Sequence, residues 1–358
     1  MKQISELQTS IPEPDSIWHF LIEKSKEIGQ PNFSSAGVPK ELLEDFDLPA
    51  DLAPGKWSKF LLATQKITNI WDYGQIRGYV LDFAKLKRFL VRDAARNGAE
   101  ILIGTSATSP ILKDGLVVGV AYSGIFGEGE VFADIVVDAS GPAGVLASGL
   151  GLRKKAISSL SVGLEIIIEN PPKELAGTMA AYFGPEYVSH GYGWIFPMGE
   201  NSAKVGVAVY DAPDYGITNI MEILKKFMAK FPQLKNAAFM DLHGASLYAN
   251  GGVGKHSAGG FLFIGDAAAQ INPLTGEGIR HAMHSAGIAA EIINQALNKK
   301  DFSAKELSQY DKKWKKYIGN KWKRSRFIAK RIFGDISEEE AGRFMKLISG
   351  LSAEDIFE

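Results

Sequence analysis

The sequence predicts a mixed α/β fold in which a strand-and-helix sheet is interrupted by an antiparallel sheet and followed by a helical tail. Three observations predict it. Apolar strands ending in an acid or a glycine alternate with helical periodicity over residues 20–160 and again after 250. Residues 160–250 instead alternate at a period of two, as in Val205, Val207 and Val209. The last sixty residues hold helix caps. The chain divides accordingly into 1–45, 76–160 and 250–300 as one unit, 46–75 and 161–249 as a second, and 301–358 as a helical region.

Taken in order, the first strand is Phe20 to Glu23, preceded by a polar stretch with Pro12 and Pro14. A helix is predicted from about Ala84 to Asn97, because Leu86, Phe89, Leu90 and Ala94 share one face and Asn97-Gly98 is a stop signal. The strand Glu100 to Ile103 follows. Lys113-Asp114-Gly115 between two apolar runs predicts a hairpin, since Asp-Gly supplies the positive φ angles of a two-residue turn. Ala133 to Asp138 is the next strand, closed by Ala139-Ser140-Gly141-Pro142. One helix, about Asn219 to Phe231, accompanies the antiparallel strands. Then come a strand from Gly260 to Asp266 and a helix from about Gly278 to Ala296. In the tail, Ser337-x-x-Glu340 and Ser352-x-x-Asp355 are capping boxes.

Composition narrows the chemistry. With 358 residues, 46% hydrophobic and 23% charged, a substantial core is possible, and a net charge of −1 gives no general reason to expect nucleic acid as partner. Cysteine is absent, so there is no disulfide framework, thiolate metal site or Cys nucleophile. The sequence has no cationic-then-apolar leader and no run of about 18 apolar residues that could span a bilayer, so a cytoplasmic protein is expected.

The strongest chemical signal is Phe261-Leu-Phe-Ile-Gly265-Asp266 leading through Pro273, Gly276 and Gly278 into a helix of small residues. A buried strand delivers a glycine, which lets backbone approach a ligand, and an aspartate that can accept hydrogen bonds from a sugar-like hydroxyl. The loop then presents free helix N–H groups and a positive dipole end. That arrangement suits an anionic ring system. A second signal is Tyr192-x-Trp194-x-Phe196-Pro197, where three aromatics at a period of two lie on one strand face and can line an apolar slot or simply build sheet core. Glu23, at the end of a strand, can take the ribose hydroxyls of a dinucleotide.

On these residues the chain resembles the geranylgeranyl reductase family of FAD-dependent oxidoreductases. The Gly265-Asp266 motif is similar to the second flavin-binding motif of the wider FAD monooxygenase and reductase superfamily. Tyr-x-Trp-x-Phe-Pro is similar to a motif of the reductases' substrate domain, and Asp138 to Gly141-Pro142 to a flavin-side strand and turn. The resemblance runs over roughly 20–300. It implies an incomplete Rossmann-type FAD-binding domain with an inserted substrate domain, Asp266 as ribityl ligand, and Pro273, Gly276 and Gly278 against the flavin pyrimidine. Gly141, Gly265 and Glu23 complete the expected cofactor residues, with Tyr192, Trp194, Phe196 and Pro197 lining the substrate. The implied activity is reduction of an isoprenoid double bond in a prenyl lipid by reduced FAD, with NADPH or a ferredoxin-like protein as electron donor. No catalytic residue is assigned.

Three departures stand out. No G-x-G-x-x-G precedes Glu23, so the first βα unit of the Rossmann domain is expected to be missing, by truncation or by loss, and FAD to bind poorly. Ser34 stands where family members often have Cys, and Phe83 where an Arg is common. The alternatives are a flavin monooxygenase or halogenase, and a flavin-free remnant that binds prenyl lipid. His281 and His284 are expected on a helix surface without metal. Residues Lys312 to Arg331, rich in Lys and Arg, place Trp314, Ile318 and Trp322 on one helix side. They are expected either to pack as core or to meet a membrane surface peripherally.

Overall fold

The computed structural model describes residues 17–351 except 33, 154–159, 235–236, 250–251 and 253. Strand β1 (Phe20–Glu23) is followed by β2 (Gly37–Pro39), α1 (Glu41–Asp45), β3 (Gly55–Trp57), β4 (Lys59–Ala63), β5 (Thr68–Asp72) and β6 (Gly78–Val80). Helix α2 (Phe83–Arg96) starts where Asp82 accepts from the Lys85 amide at 3.0 Å, satisfying one of the first-turn donors. Ala84 and Leu86 bury its inner face, and Gly98, at φ +91°, turns the chain into β7 (Glu100–Ile103). β7 lies parallel to β1, with Phe20 opposite Glu100 and Glu23 opposite Ile103.

Next comes an antiparallel meander of β8 (Thr105–Lys113), β9 (Leu116–Gly124) and β10 (Gly127–Phe132). Its first turn is the expected hairpin, with Asp114 at φ +51° and Gly115 at +78°. β11 (Val136–Asp138) and the short α3 (Val145–Gly149) follow.

The second sheet is built from β12 (Leu160–Glu169), β13 (Thr178–Gly184), β14 (Val188–Pro197), β15 (Ser202–Val209) and β16 (Phe239–Tyr248), with β4 and β5 added at one side. Its order is β16-β12-β15-β14-β13-β4-β5. The ladders among β12 to β16 are antiparallel, as expected for residues 160–250, and the ladder that joins β4 to β13 is parallel. β4 comes from a distant stretch of chain rather than a hairpin, so no turn imposes opposite direction. One face of this sheet is apolar: Ile166, Ile195, Val205, Val207 and Val209 pack under Leu224 and Phe227 of α4 (Ile220–Ala229).

β17 (Ser257–Ala258) and β18 (Phe261–Phe263) return the chain to the first unit, where β18 runs parallel to β11. Among the described residues the pairs β1–β7 and β11–β18 fall in separate sheets, yet Ile22 packs on the cluster that holds Val136, Phe261 and Phe263. One core thus carries two parallel fragments.

The long helix α5 (Ile279–Lys299) is followed by α6 (Ala304–Leu307), α7 (Gln309–Ile318), α8 (Lys321–Ile332) and α9 (Glu338–Ile348). Ser337 and Glu340 form both halves of the expected capping box, while the box at Ser352 lies outside the described residues. α9 covers the β5 edge: the Asn69 side chain donates to the Met345 carbonyl at 2.9 Å, and Trp71 Nε1 to that of Leu351 at 3.2 Å. Trp314 and Trp322 are 0% and 5% exposed and meet edge to face at 5.5 Å, so neither ring is presented to a membrane. Phe327, 70% exposed, is the large apolar side chain of α8 that points outward. No helix among the described residues is long and apolar enough to cross a membrane.

Candidate functional site

The site forms where β18 ends. Gly265 sits at φ +59° and opens a short 3-10 turn through Asp266, a conformation that favours a residue without Cβ. Gln270, fully buried, holds the turn. Its Oε1 accepts from the Gly265 amide at 2.7 Å and from Ser285 Oγ at 2.6 Å, and its amide donates to Tyr310 Oη at 2.7 Å. The second expected turn stands alongside. Asp138 accepts from the amides of Ser140 and Ala147 at 2.9 and 2.8 Å, and Gly141, at φ +68°, begins a turn that packs on the one containing Asp266.

Asp266 is half-buried, and a Cβ on Gly278 would come within 3.5 Å of its Oδ1, so its carboxylate lies beside the residue that caps α5. Burial pushes this carboxyl up to about 6, against the opposing pull of the Arg153 guanidinium. Arg153 is itself buried: Nε donates to the Ala267 carbonyl at 3.0 Å, and its guanidinium lies over the Tyr248 ring at 5.1 Å. In the loop, Glu277 takes a bidentate pair from Arg280 at 2.8 and 3.0 Å. Burial acts to raise its carboxyl, but His281 and Arg280 outweigh that and hold it below the usual range.

His281 is not on a surface as expected. It is 4% exposed, between Glu277 at 3.5 Å and Tyr317 Oη at 3.1 Å, because α7 and α8 cover this side of α5. His284 faces Asp45 at 3.4 Å and Tyr317. Both histidines therefore have protein partners.

The aromatic strand β14 meets the same loop from the other unit. Tyr192 Oη donates to the Thr275 carbonyl at 3.1 Å, and Tyr210 Oη to that of Leu274 at 3.3 Å. Phe333 stacks on Tyr210 at 4.4 Å and on Tyr192 at 5.7 Å. Trp194 and Phe196 continue the row and pack with Trp57 and Val80. Gly55 permits that contact, since a Cβ there would fall 2.1 Å from the Pro197 carbonyl oxygen. Glu23 lies elsewhere, at the end of β1, where its Oε1 accepts from the Ser25 amide at 2.6 Å.

Several polar residues of the site carry no motif. Trp194 Nε1 donates to Glu165 Oε2 at 2.7 Å, and His243 Nε2 meets Glu165 Oε1 at 2.8 Å; both partners are almost wholly buried. Lys204, 1% exposed, donates to the Ser34 carbonyl at 2.6 Å, and burial holds its ammonium below the usual lysine range. One signal could have found Lys204. Ala203, Val205 and Val207 face α4, so strand alternation puts Lys204 on the side of Phe196, its cross-strand neighbour. Glu165 and His243 leave no such mark, since their meeting depends on register between strands far apart in sequence.

The residues present fit the ring end of a flavin. A carboxylate with some exposure, a positive-φ glycine and the amino end of a 21-residue helix converge there, and a Cβ at Gly276 would fall 3.1 Å from Tyr192 Oη.

The family described as Tryptophan halogenase matches residues 43–326. A digeranylgeranylglycerophospholipid reductase of Methanocaldococcus jannaschii is 32% identical over 303 residues, covering 82% of this chain and 75% of the relative. The enzyme of that name from Methanosarcina acetivorans is also 32% identical, covering 89% and 80%. Among solved structures, a geranylgeranyl bacteriochlorophyll reductase-like protein from Thermoplasma acidophilum superposes with a TM-score of 0.86 at 24% identity, covering 93% of this chain and 85% of the other. The myxobacterial chondrochloren halogenase gives 0.68 at 17%, covering 94% and 85%.

Proposed function

The chain belongs to the geranylgeranyl reductase family, in an FAD-dependent superfamily that also includes tryptophan halogenase, and on that premise we propose that it reduces isoprenoid double bonds of a prenyl lipid with FAD as cofactor. The observation that carries this reading is the bond from Tyr192 to Thr275, which joins the aromatic strand to the loop after Asp266. It supports an apolar slot beside the loop that would hold the cofactor.

Asp266 would take the ribityl hydroxyls, Gly265 and Gly141 the close approach of the chain, and the loop from Pro273 to Gly278 the pyrimidine edge. Glu23 would accept ribose hydroxyls through the oxygen that does not bind Ser25. Bound and reduced, FAD would supply a hydride to one carbon of an isolated double bond, and a proton, whose donor is not assigned, would complete the neighbouring carbon. The protein's part is to orient the alkene against Tyr192, Trp194 and Phe196 and to exclude water, with Pro197 closing the slot where β3 crosses. An external donor, NADPH or a ferredoxin-like protein, supplies the electrons. Access to the lipid is peripheral, through the exposed Phe327 and its basic neighbours Lys323, Arg324 and Lys330 on α8.

The test is anaerobic incubation with dithionite-reduced FAD and a geranylgeranylated glycerolipid, read by mass spectrometry. Products heavier by successive pairs of hydrogen atoms are expected. Unchanged lipid, or a halide-dependent product under oxygen, would overturn the reading in favour of a binding protein or a halogenase.

A further inference from the structure

The register of the large sheet puts side chains in rows across it, and one row is nearly empty. Tyr192 stands opposite Ala208, Ala208 opposite Gly163, and Gly163 opposite Ala245, so these four residues share the face that looks toward the cofactor loop. The next row on that face is Trp194, Gly206, Glu165 and His243. Its indole lies across Gly206 to the Glu165 carboxylate, and together they bound one side. On the other side rise Tyr210 and Leu247, which pack together with Leu274 of the loop.

Between these walls the floor is made of two alanines and a glycine. Ala208 and Gly163 are only half-buried and Ala245 is exposed, so among the described residues no other part of the chain covers this floor. A Cβ built on Gly163 would meet only backbone oxygens, of Val207 at 3.7 Å and Ala245 at 3.9 Å. The trench runs from Tyr192, at the loop, across three inter-strand steps of about 4.8 Å to the β16 edge, about 14 Å in all.

We propose that this trench receives the apolar tail of the substrate and that Gly163 sets how much of the tail it admits. The inference rests on the prenyl-lipid reading above and extends it to named positions. The chemistry of the walls selects the occupant. Glu165 has one oxygen bonded by Trp194 and the other by His243, and the floor offers no side-chain donor or acceptor. In the opposite row Tyr210 is bonded to Leu274 while the unbonded Ser161 hydroxyl is buried, so a polar ligand gains little along the trench while an apolar chain loses nothing. The trench is also continuous with the site, since Tyr192 at its inner end bonds to Thr275. Its outer end opens at an edge strand, where the rest of a lipid can leave the protein.

Calorimetric titration with geraniol and geranylgeraniol separates the possibilities, with the unfolding temperature as control. Gly163→Phe should weaken geranylgeraniol by about tenfold or more, the scale on which an apolar pocket registers lost methylenes, while geraniol binding is unchanged. Ala245→Phe, at the exposed mouth, should do the same to a smaller degree, and it keeps the test open if Gly163→Phe does not fold. Equal losses for both alcohols, or none for either, would overturn the trench. If the unaltered protein binds neither alcohol, the prenyl-lipid reading itself falls, and the inference with it.

Discussion

The indole of Trp194 reaches Glu165 by lying across β15 at Gly206, and a Cβ on that glycine would fall 2.3 Å from the ring. The bond, 2.7 Å long, is possible because the strand between offers no side chain at this point.

Replacing Gly206 by Ala should therefore displace the indole. A loss of about 1 to 3 kcal/mol is expected from overpacking, measured by urea denaturation. Gly163→Ala, one row away, should change stability little. Similar losses at both positions would mean that the space at Gly163 is closed.

Glu165→Ala leaves Trp194 Nε1 and His243 Nε2 without their shared acceptor in a buried place. Each such group costs about 1 to 3 kcal/mol, so the variant should be among the least stable single substitutions. Glu165→Gln, whose carbonyl can still accept from the indole, should lose less than half as much in the same measurement.

Flavin binding should depend on pH through Asp266. Its carboxyl is held at about 6, above about 3.9 in an unfolded chain, so the flavin-free fold keeps a proton that the unfolded chain releases. This group alone makes stability fall as pH rises from about 4 to about 6. Hydroxyls that donate to the ionised carboxylate reverse that preference. FAD affinity should rise with pH up to about 6 and then level, with proton release on binding below it. Titrations at several pH values check this. A flat profile in the unaltered protein, or the same slope in Asp266→Asn, would remove Asp266 from the cofactor site.

Arg153→Met should move that profile upward. The guanidinium favours the ionised Asp266, and without it the carboxyl requires a higher pH to lose its proton. The variant also loses the bond from Nε to the Ala267 carbonyl, worth about 1 kcal/mol. An unchanged midpoint would show that Arg153 serves only the backbone.

Gln270→Leu should cost about 2 to 4 kcal/mol, because the Gly265 amide, Ser285 and Tyr310 lose a common partner in the interior. FAD affinity should fall with it, since the Gly265 turn is no longer tied to α5. Full retention of affinity in a destabilised variant would separate the turn's geometry from this network.

The legible parts of the molecule were those written in consecutive residues. Gly265-Asp266, the loop to Gly278, the Asp114-Gly115 hairpin and the aromatic period of β14 each announce themselves within a few positions, since turns and pleats are local. Glu165 and His243 are 78 residues apart, and Trp194 is 29 from Glu165, so only strand register brings them together. Trp314 and Trp322 were ambiguous for another reason. A face of aromatics among lysines suits a lipid surface or a protein neighbour equally, and the decision came from His281 and Gly252, which meet those indoles from other elements.

The tail's contacts also govern when this protein can be finished. Tyr310 secures the Gln270 network, Tyr317 reaches His281, and Met345 receives Asn69 from 276 residues upstream. A nascent chain that has already delivered Gly265 and Asp266 from the ribosome still lacks these supports. The cofactor turn must wait for the stretch that brings Tyr310 and Tyr317, and the outer edge of the large sheet waits for α9. Assembly of the site thus follows synthesis of the residues that support it, and apolar surface stays open until they arrive.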